Sequence, residues 1–135
     1  MTGTSSGRIA DFRYRGDASI DQLSSLRRDL IDWSRRAGLA QEQVQAVALA
    51  GYEALANAVE HAFPDRPDGV IELHATMGVE RLTVTVTDWG RWREPPADPG
   101  VRGRGLVLIR NLCTNAEIVA TDAGTTVTMN WDLEV

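Results

Sequence analysis

A row of polar side chains on one predicted helix is the first candidate site. Glu53, Asn57 and His61 recur at every fourth position, and side chains four residues apart stack on one face of an α-helix. A carboxylate beside a neutral amide oxygen suits a magnesium ion that takes most of its other oxygens from phosphate and water. A solvated helix face has the same pattern, so the helix alone leaves both interpretations open.

The opposite side of this helix is apolar. At about 100° per residue, the residues expected to face the core are Val44, Val47, Ala48, Gly51, Leu55, Val59 and Ala62. The polar row is flanked by small residues, namely Ala46, Ala50 and Ala54. Because these side chains are too short to cover the row, we expect a ligand to approach Glu53 and Asn57 closely.

Two later segments also carry residues suited to a ligand. Asp88 continues the apolar row of a predicted strand, where an acid is costly to bury unless it is hydrogen-bonded. It is either a ligand-facing acid or a strand-end cap. Gly103-Arg104-Gly105 precedes a short predicted helix, and glycines let backbone amides approach a phosphate there. A flexible turn is the alternative, since the third glycine of a dinucleotide fingerprint is missing.

Hydrophobic periodicity predicts the elements that position these residues. Ser19 and Gln22 form a capping-box pattern that begins a first helix, and Gly38 ends it. A second helix is expected over about 40–62 and a short one beyond Gly105, and turns are expected at 16–17, 64–69, 78–81 and 122–124. Strands are expected at 10–15, 71–77, 82–88, 116–120 and 125–133. This order predicts an α+β fold, a two-layer sandwich with helices on one face of a mainly antiparallel sheet.

Composition limits the partners and the compartment. The 135 residues suit one domain, with residues 1–7 as a disordered tail and 8–135 as the folded unit. A net charge of -5 argues against sequence-independent binding of nucleic acid or anionic lipid. The single Cys113 is interpreted as a buried, inert thiol. No apolar run has the length of a membrane span or the pattern of a signal peptide, so a cytoplasmic location is expected.

Four motifs occur in a specific order along the chain. They are Glu53-x-x-x-Asn57-Ala-x-x-His61-Ala, Asp88-x-Gly90, Gly103-Arg104-Gly105-Leu106 and Gly124-Thr125-x-Val127. This combination resembles the GHKL ATPase superfamily, and more closely the anti-sigma factor serine/threonine kinases of bacteria. The resemblance covers residues 8–135 and implies the GHKL, or Bergerat-type, ATP-binding fold. The short proline-rich segment before Arg102 looks like that of the short-lid members common in actinobacteria.

The resemblance implies roles for the residues of the helix and the sheet. Glu53 would be the general base that takes the hydroxyl proton of a protein serine or threonine, and Asn57 would be the magnesium ligand. Asp88 would accept a hydrogen bond from the adenine amino group, and Thr125 would support the same edge. Gly90 would allow the ring to pack closely.

The remaining matching residues would close around the phosphates. Gly103 and Gly105, with Leu106 beside them, form the segment that would wrap the phosphate groups. Arg102 or Arg104 would lie near the γ-phosphate. His61 fits the same pattern, and a hydrogen bond at the end of the helix is preferred for it over a catalytic role.

The resemblance also implies ATP and Mg²⁺ as cofactors and two protein partners. The expected activity is phosphorylation of an anti-sigma factor antagonist by a kinase that binds and inhibits a sigma factor. Relatives often dimerise, so a homodimer is one expected assembly, without direct nucleic-acid or membrane partners. The alternative is a non-catalytic or weakly nucleotide-binding module that holds a sigma factor or a neighbouring domain. The catalytic half of a sensor histidine kinase is less expected, because no segment offers a dimerisation helix with a phosphoacceptor histidine.

Overall fold

A computed structural model describes the protein over residues 9–17, 19–62, 69–89, 107–121 and 124–133, without the side chains of residues 61 and 62. The predicted tail at residues 1–7 lies outside this part of the chain, so the division into tail and domain stays a prediction. Among the described residues, no helix has the length and apolar character needed to span a membrane.

The elements follow the predicted order of strand, two helices, two strands, short helix and two strands. They are β1 (Phe12–Asp17), α1 (Ile20–Arg36), α2 (Gln41–Asn57) with a π-helical turn (Ala58–Ala62), β2 (Val70–Met77), β3 (Arg81–Asp88), α3 (107–112), β4 (Asn115–Thr121) and β5 (Gly124–Asp132). The α+β prediction is confirmed.

All five strands form one antiparallel sheet in the order β1-β2-β3-β5-β4. The first three strands are neighbours in both sequence and space. The hairpin predicted between β2 and β3 is confirmed, with the Gly78 amide donating to the Arg81 carbonyl at 2.8 Å. β5 lies between β3 and β4, so the last strand of the chain is internal. The start of β5 therefore lies beside the end of β3.

Local signals at the helix ends agree with the predicted boundaries. The Ser19 hydroxyl accepts a hydrogen bond from the Gln22 amide at 3.4 Å, which caps the first turn of α1. Gly38 follows α1 with a φ of +90°, a conformation that glycine adopts without steric cost. At the start of α2, the Ala40 amide donates to the Gln43 side chain at 3.1 Å.

Two boundaries differ from the sequence prediction. β1 continues through Gly16 and Asp17, where a turn was expected, because both residues remain in register with β2. The second predicted helix is α-helical only as far as Asn57, and the turn over Ala58–Ala62 is π-helical.

One hydrophobic core lies between the two long helices and the inner face of the sheet. The indole of Trp33 also donates to the Ala10 carbonyl at 2.8 Å, and that of Trp131 donates to the Leu112 carbonyl at 2.7 Å. These bonds connect α1 to the chain before β1, and α3 to β5. The core residues are Leu23, Leu26, Leu30, Trp33, Val47, Ala50, Ala54, Leu55, Ala58, Ile71, Leu73, Ala75, Leu82, Val84, Val86, Ile109, Val127, Met129 and Trp131.

Cys113 lies beside this core, directly after α3. It is half-buried, and its thiol donates to the Ile109 carbonyl at 3.0 Å. Burial raises the pKa of the Cys113 thiol, which disfavours the nucleophilic thiolate. This environment agrees with the prediction of an unreactive cysteine.

A polar cluster on the outer face fastens the chain before β1 to β2. The Asp11 carboxylate accepts a hydrogen bond from the Thr76 hydroxyl at 2.8 Å and lies 2.9 Å from Nε2 of His74. The hydrogen bonds from His74 and then Thr76 hold the pKa of Asp11 below its ordinary value of 3.8. A lowered carboxylate pKa adds stability above the unfolded-state pKa, and this contribution is lost as pH falls through the folded-state pKa.

We expect Leu30→Ala to destabilise the protein by about 2–5 kcal/mol, because Leu30 is completely buried and its truncation leaves a cavity. The matched control is Ile20→Ala in the same helix, where the side chain is 73% exposed and the change should stay within about 0.5 kcal/mol. Urea unfolding measures both. Equal losses in the two variants would contradict this placement of the core.

We expect Asp11→Asn to reduce stability at neutral pH and to change its acid dependence. The stability difference from wild type should be largest above about pH 5 and should shrink as pH falls below 3.8, because the wild-type carboxylate then becomes protonated. Urea unfolding at a series of pH values measures this, with the exposed Asp32→Asn as control. A difference that is independent of pH down to pH 2 would disprove the role of the Asp11 charge.

Candidate functional site

The polar row on α2 begins with Glu53 and Asn57. Both residues are half-buried and lie one turn apart on the same face of the α-helix. The side of α2 opposite this row is buried, as predicted, at Val44, Val47, Ala48, Gly51 and Leu55. Glu53 and Asn57 therefore lie between the core and solvent, where oxygen ligands remain accessible.

The alanines beside this row have a different role from the one predicted. Ala50 and Ala54 are buried in the core, and Ala46 is half-buried. The surface beside the polar row is therefore closed at Ala50 and Ala54, which pack in the core. The close packing extends to Gly51, where an added Cβ would lie 2.7 Å from Cδ2 of Leu30 in α1. The apolar sector of α2 therefore extends to Ala50 and Ala54 on one side of the polar row.

The π-helical turn begins directly after Asn57. Hydrogen bonds in a π-helical turn join residues five apart, not four apart as in an α-helix. The four-residue spacing therefore no longer places His61 directly above Asn57. The side chain of His61 is outside the described part of the structure, so its expected helix-end hydrogen bond stays a prediction. Single π-helical turns occur frequently at functional sites, and this one contacts both β3 and β5.

Asp88 lies on the inner face of the sheet, at the end of the row formed by Leu82, Val84 and Val86. This placement confirms the alternation predicted for β3. Asp88 is only 5% exposed. A carboxylate at such a position is a strong hydrogen-bond acceptor for a group that enters from this end of the sheet.

Thr125 is the direct neighbour of Asp88 across the β3–β5 pair. Residues directly opposite in an antiparallel pair have side chains on the same face, so both project to the inner face. The row continues to Ile71 on one side and to Ala120 on the other. Ile71 is fully buried, whereas Ala120 is exposed. Among the described residues, the inner face at this end of the sheet is therefore exposed on the β4 side, at Ala120.

The hydroxyl of Thr125 has an unusual environment. Thr125 is 7% exposed, and its Oγ1 is buried without a hydrogen-bond partner in the structure as described. A buried hydroxyl without a partner costs free energy, and such groups in folded proteins call for an explanation. A ligand or water hydrogen-bonded to Oγ1 beside the Asp88 carboxylate would satisfy it. The resemblance implies that adenine binds at this pair, which stays a prediction.

Gly124 brings β5 unusually close to the end of β3. Its φ is +147°, and a Cβ at this position would clash with the Asp88 carbonyl oxygen and lie 2.9 Å from Cα of Trp89. Only glycine permits this approach. Gly124 was predicted as part of a motif and a turn, and its contact with the end of β3 was not predicted. Its position directly before Thr125 was the available signal.

These residues belong to elements that contact one another. α2 contacts β3, and the π-helical turn after Asn57 contacts β3 and β5. The structure thus brings the end of α2 to the sheet that carries Asp88 and Thr125. Gly90, Arg102, Gly103, Arg104, Gly105 and Leu106 lie outside the described residues. Their roles at the ring and the phosphates stay predictions.

We expect Thr125→Val to stabilise the free protein by about 1 kcal/mol, because it replaces a buried hydroxyl without a partner by a methyl group of similar shape. With the role that the resemblance implies for Thr125, the same change should weaken ATP binding by about five- to tenfold, the value of one lost hydrogen bond. Urea unfolding and calorimetry measure the two effects. The control is Thr128→Val on the half-buried outer face of β5. A less stable Thr125→Val protein with unchanged affinity would contradict this assignment.

Comparisons with known proteins agree with this architecture. The chain matches the family described as "Histidine kinase-like ATPase domain" over residues 17–131. It is 31% identical over 127 residues to the serine-protein kinase RsbW of Listeria monocytogenes, covering 83% of this chain and 80% of that protein. It is 36% identical over 96 residues to blue-light-activated histidine kinase 2 of Erythrobacter litoralis, covering 68% of this chain but only 28% of that protein.

Solved structures share the fold at lower identity. The RsbU and RsbW domains of a Mycobacterium tuberculosis protein superimpose with a TM-score of 0.74 at 24% identity, over 91% of this chain and 32% of that chain. The histidine kinase AdeS of Acinetobacter baumannii gives a TM-score of 0.55 at 10% identity, over 98% of this chain and 73% of that chain. The chain therefore belongs to the histidine kinase-like ATPase domain family, as a domain of the GHKL anti-sigma kinase-like type.

Proposed function

We propose that this protein is an ATP-dependent serine/threonine kinase that phosphorylates an anti-sigma factor antagonist and binds and inhibits a sigma factor. The observation that carries the proposal is the unpartnered buried hydroxyl of Thr125 beside the Asp88 carboxylate, in a sheet that contacts the end of α2. The likeness to a serine-protein kinase over most of both chains supports the choice of reaction.

Asp88 and Thr125 are proposed to recognise the base. The Asp88 carboxylate accepts a hydrogen bond from the exocyclic amino group of adenine, and the Thr125 hydroxyl donates to a neighbouring ring nitrogen, directly or through water. Both residues are at least nine-tenths buried, so water competes poorly for these bonds. A base with a carbonyl in place of the amino group would leave the Asp88 carboxylate facing an acceptor, which is costly.

Asn57 is proposed to hold the magnesium ion through its side-chain carbonyl oxygen. Mg²⁺ usually binds one or two protein oxygens and keeps the rest of its shell for phosphate and water, which agrees with a single half-buried amide on this face. When bound, the ion neutralises charge on the transferring phosphoryl group. Gly103, Gly105 and the neighbouring Arg102, Arg104 and Leu106 are proposed to enclose the phosphates.

Glu53 is proposed to be the general base. It lies one helical turn before Asn57 on the same face, so a substrate hydroxyl directed at the γ-phosphate would pass close to its carboxylate. Glu53 takes the hydroxyl proton as the oxygen attacks phosphorus and the bond to the β-phosphate oxygen breaks. Because phosphoryl transfer depends mainly on positioning and charge neutralisation, one base, one metal and a phosphate-binding segment form a sufficient set.

The partners are proposed from the same likeness. A sigma factor and an unphosphorylated antagonist would compete for this protein, and phosphorylation of the antagonist would end that competition. A cytoplasmic location and a homodimer belong to the same proposal. The chain spans only 28% of the matched histidine kinase, and this partial likeness does not decide between serine and histidine as the phosphate acceptor. The assay must therefore distinguish phosphoryl transfer to histidine from transfer to serine or threonine.

We expect Glu53→Gln to slow phosphorylation of the cognate antagonist by about 10²- to 10⁴-fold, the usual contribution of a general base, while ATP affinity stays within twofold of wild type. Radiolabelled ATP with Mg²⁺ measures transfer, and calorimetry measures binding. The matched control is Glu42→Gln, an exposed acid in the first turn of α2, which should label normally. Wild-type labelling by Glu53→Gln would remove Glu53 from the reaction.

The same assay separates the other functions. Label that survives acid is on serine or threonine, whereas acid-labile label would indicate phosphohistidine and disprove the proposed reaction. If millimolar ATP with Mg²⁺ gives no binding heat while a sigma factor still binds, the protein is a non-catalytic binding module.

A further inference from the structure

Trp89 occupies the position directly after Asp88, where β3 ends. It is 44% exposed, which is unusual for so large an aromatic side chain. Its backbone lies against Gly124, where an added Cβ would approach Cα of Trp89 to 2.9 Å. One side of the backbone at the end of β3 is therefore fixed by β5.

The ring of Trp89 contacts a residue of β1, the strand at one edge of the sheet. The guanidinium carbon of Arg15 lies 4.6 Å from the centroid of the Trp89 ring, within the range of a cation–π interaction. Arg15 is an exposed residue of β1, and β2 separates β1 from β3. Because neighbouring strands lie about 4.8 Å apart, the two side chains must extend over β2 to meet.

The end of β3 is thus held from both sides. Gly124 contacts its backbone from β5, and Arg15 contacts the Trp89 ring from beyond β2. Asp88 is adjacent to Trp89 in the chain, and its carboxylate points to the inner face. A rotation of the backbone at Trp89 would change the direction of the Asp88 carboxylate relative to Thr125.

We propose that Arg15 is a positioning residue for base recognition, acting through Trp89 on the Asp88 carboxylate. This inference rests on the proposed nucleotide site. Arg15 does not touch the base, because its side chain lies over the outer face of the sheet whereas Asp88 and Thr125 face inward. Arg15 should therefore affect only the binding of ligands that donate a hydrogen bond to the Asp88 carboxylate.

The test measures affinities for two ligands that differ only at that hydrogen bond. ATP carries the amino group that would donate a hydrogen bond to the Asp88 carboxylate, and purine riboside triphosphate lacks this group. We expect Arg15→Gln to weaken ATP binding by about two- to fivefold, the value of an exposed cation–π contact, and to leave purine riboside triphosphate binding unchanged. Calorimetry measures ATP, and competition against a fluorescent ATP analogue measures the weaker ligand.

Four further variants isolate the contact. Arg15→Lys keeps a cation over the ring and should retain at least half of the ATP affinity. Arg13→Gln makes the same change two residues away on the same face of β1 and should have no effect. Trp89→Leu should weaken ATP binding as Arg15→Gln does, and the double variant should be no weaker than Trp89→Leu alone.

Each outcome supports or overturns a specific statement. If wild type binds ATP and Arg15→Gln binds it equally well, the inference is wrong and the proposed function stands. If Arg15→Gln weakens both ligands equally, Arg15 acts on the general structure of the site, and the inference is again wrong. If wild type binds neither ligand, the proposed function fails, and the inference fails with it.

Discussion

Asp88 and Thr125 face each other across the β3–β5 pair, and the whole arrangement of the site depends on this pairing. β5 is the last strand of the chain, yet it lies between β3 and β4. Gly124 allows its first residues to approach the end of β3 more closely than any residue with a Cβ would permit. A substitution at Gly124 would separate the two strands where the Asp88 carboxylate and the Thr125 hydroxyl lie on the same face.

The helix layer shows how stability and ligand binding share one element. α2 buries one side in the core, including Ala50 and Ala54, and carries Glu53 and Asn57 on its half-buried side. The site thus rests on a helix fixed by the core, and rigid support of this kind keeps ligand groups in position. The buried hydroxyl of Thr125 has the opposite effect on stability, because a buried hydroxyl without a hydrogen-bond partner costs free energy in the free protein. A ligand that hydrogen-bonds this hydroxyl would recover that cost.

Much of this architecture is predictable from periodicity and from local end signals. Alternation along β3 places Asp88 on the inner face, and the Ser19 cap and Gly38 delimit α1, because these features depend on neighbours in sequence. The Arg15–Trp89 contact, the approach of Gly124 to Asp88 and the insertion of β5 depend on residues far apart in the chain, which no local pattern reports. The π-helical turn after Asn57 was missed for a related reason, since it contacts β3 and β5.

The internal position of β5 also has a consequence for folding and synthesis. β1, β2 and β3 pair with their sequence neighbours as soon as residues 12–88 are available. One edge of β3 then keeps unpaired backbone groups until β5, about 40 residues later, reaches it. An unpaired edge is a template for pairing with other chains, and non-local pairing of this kind forms slowly. Thr83, Thr85 and Thr87 give β3 a polar outer face, and polar residues on the solvent face of a strand oppose aggregation.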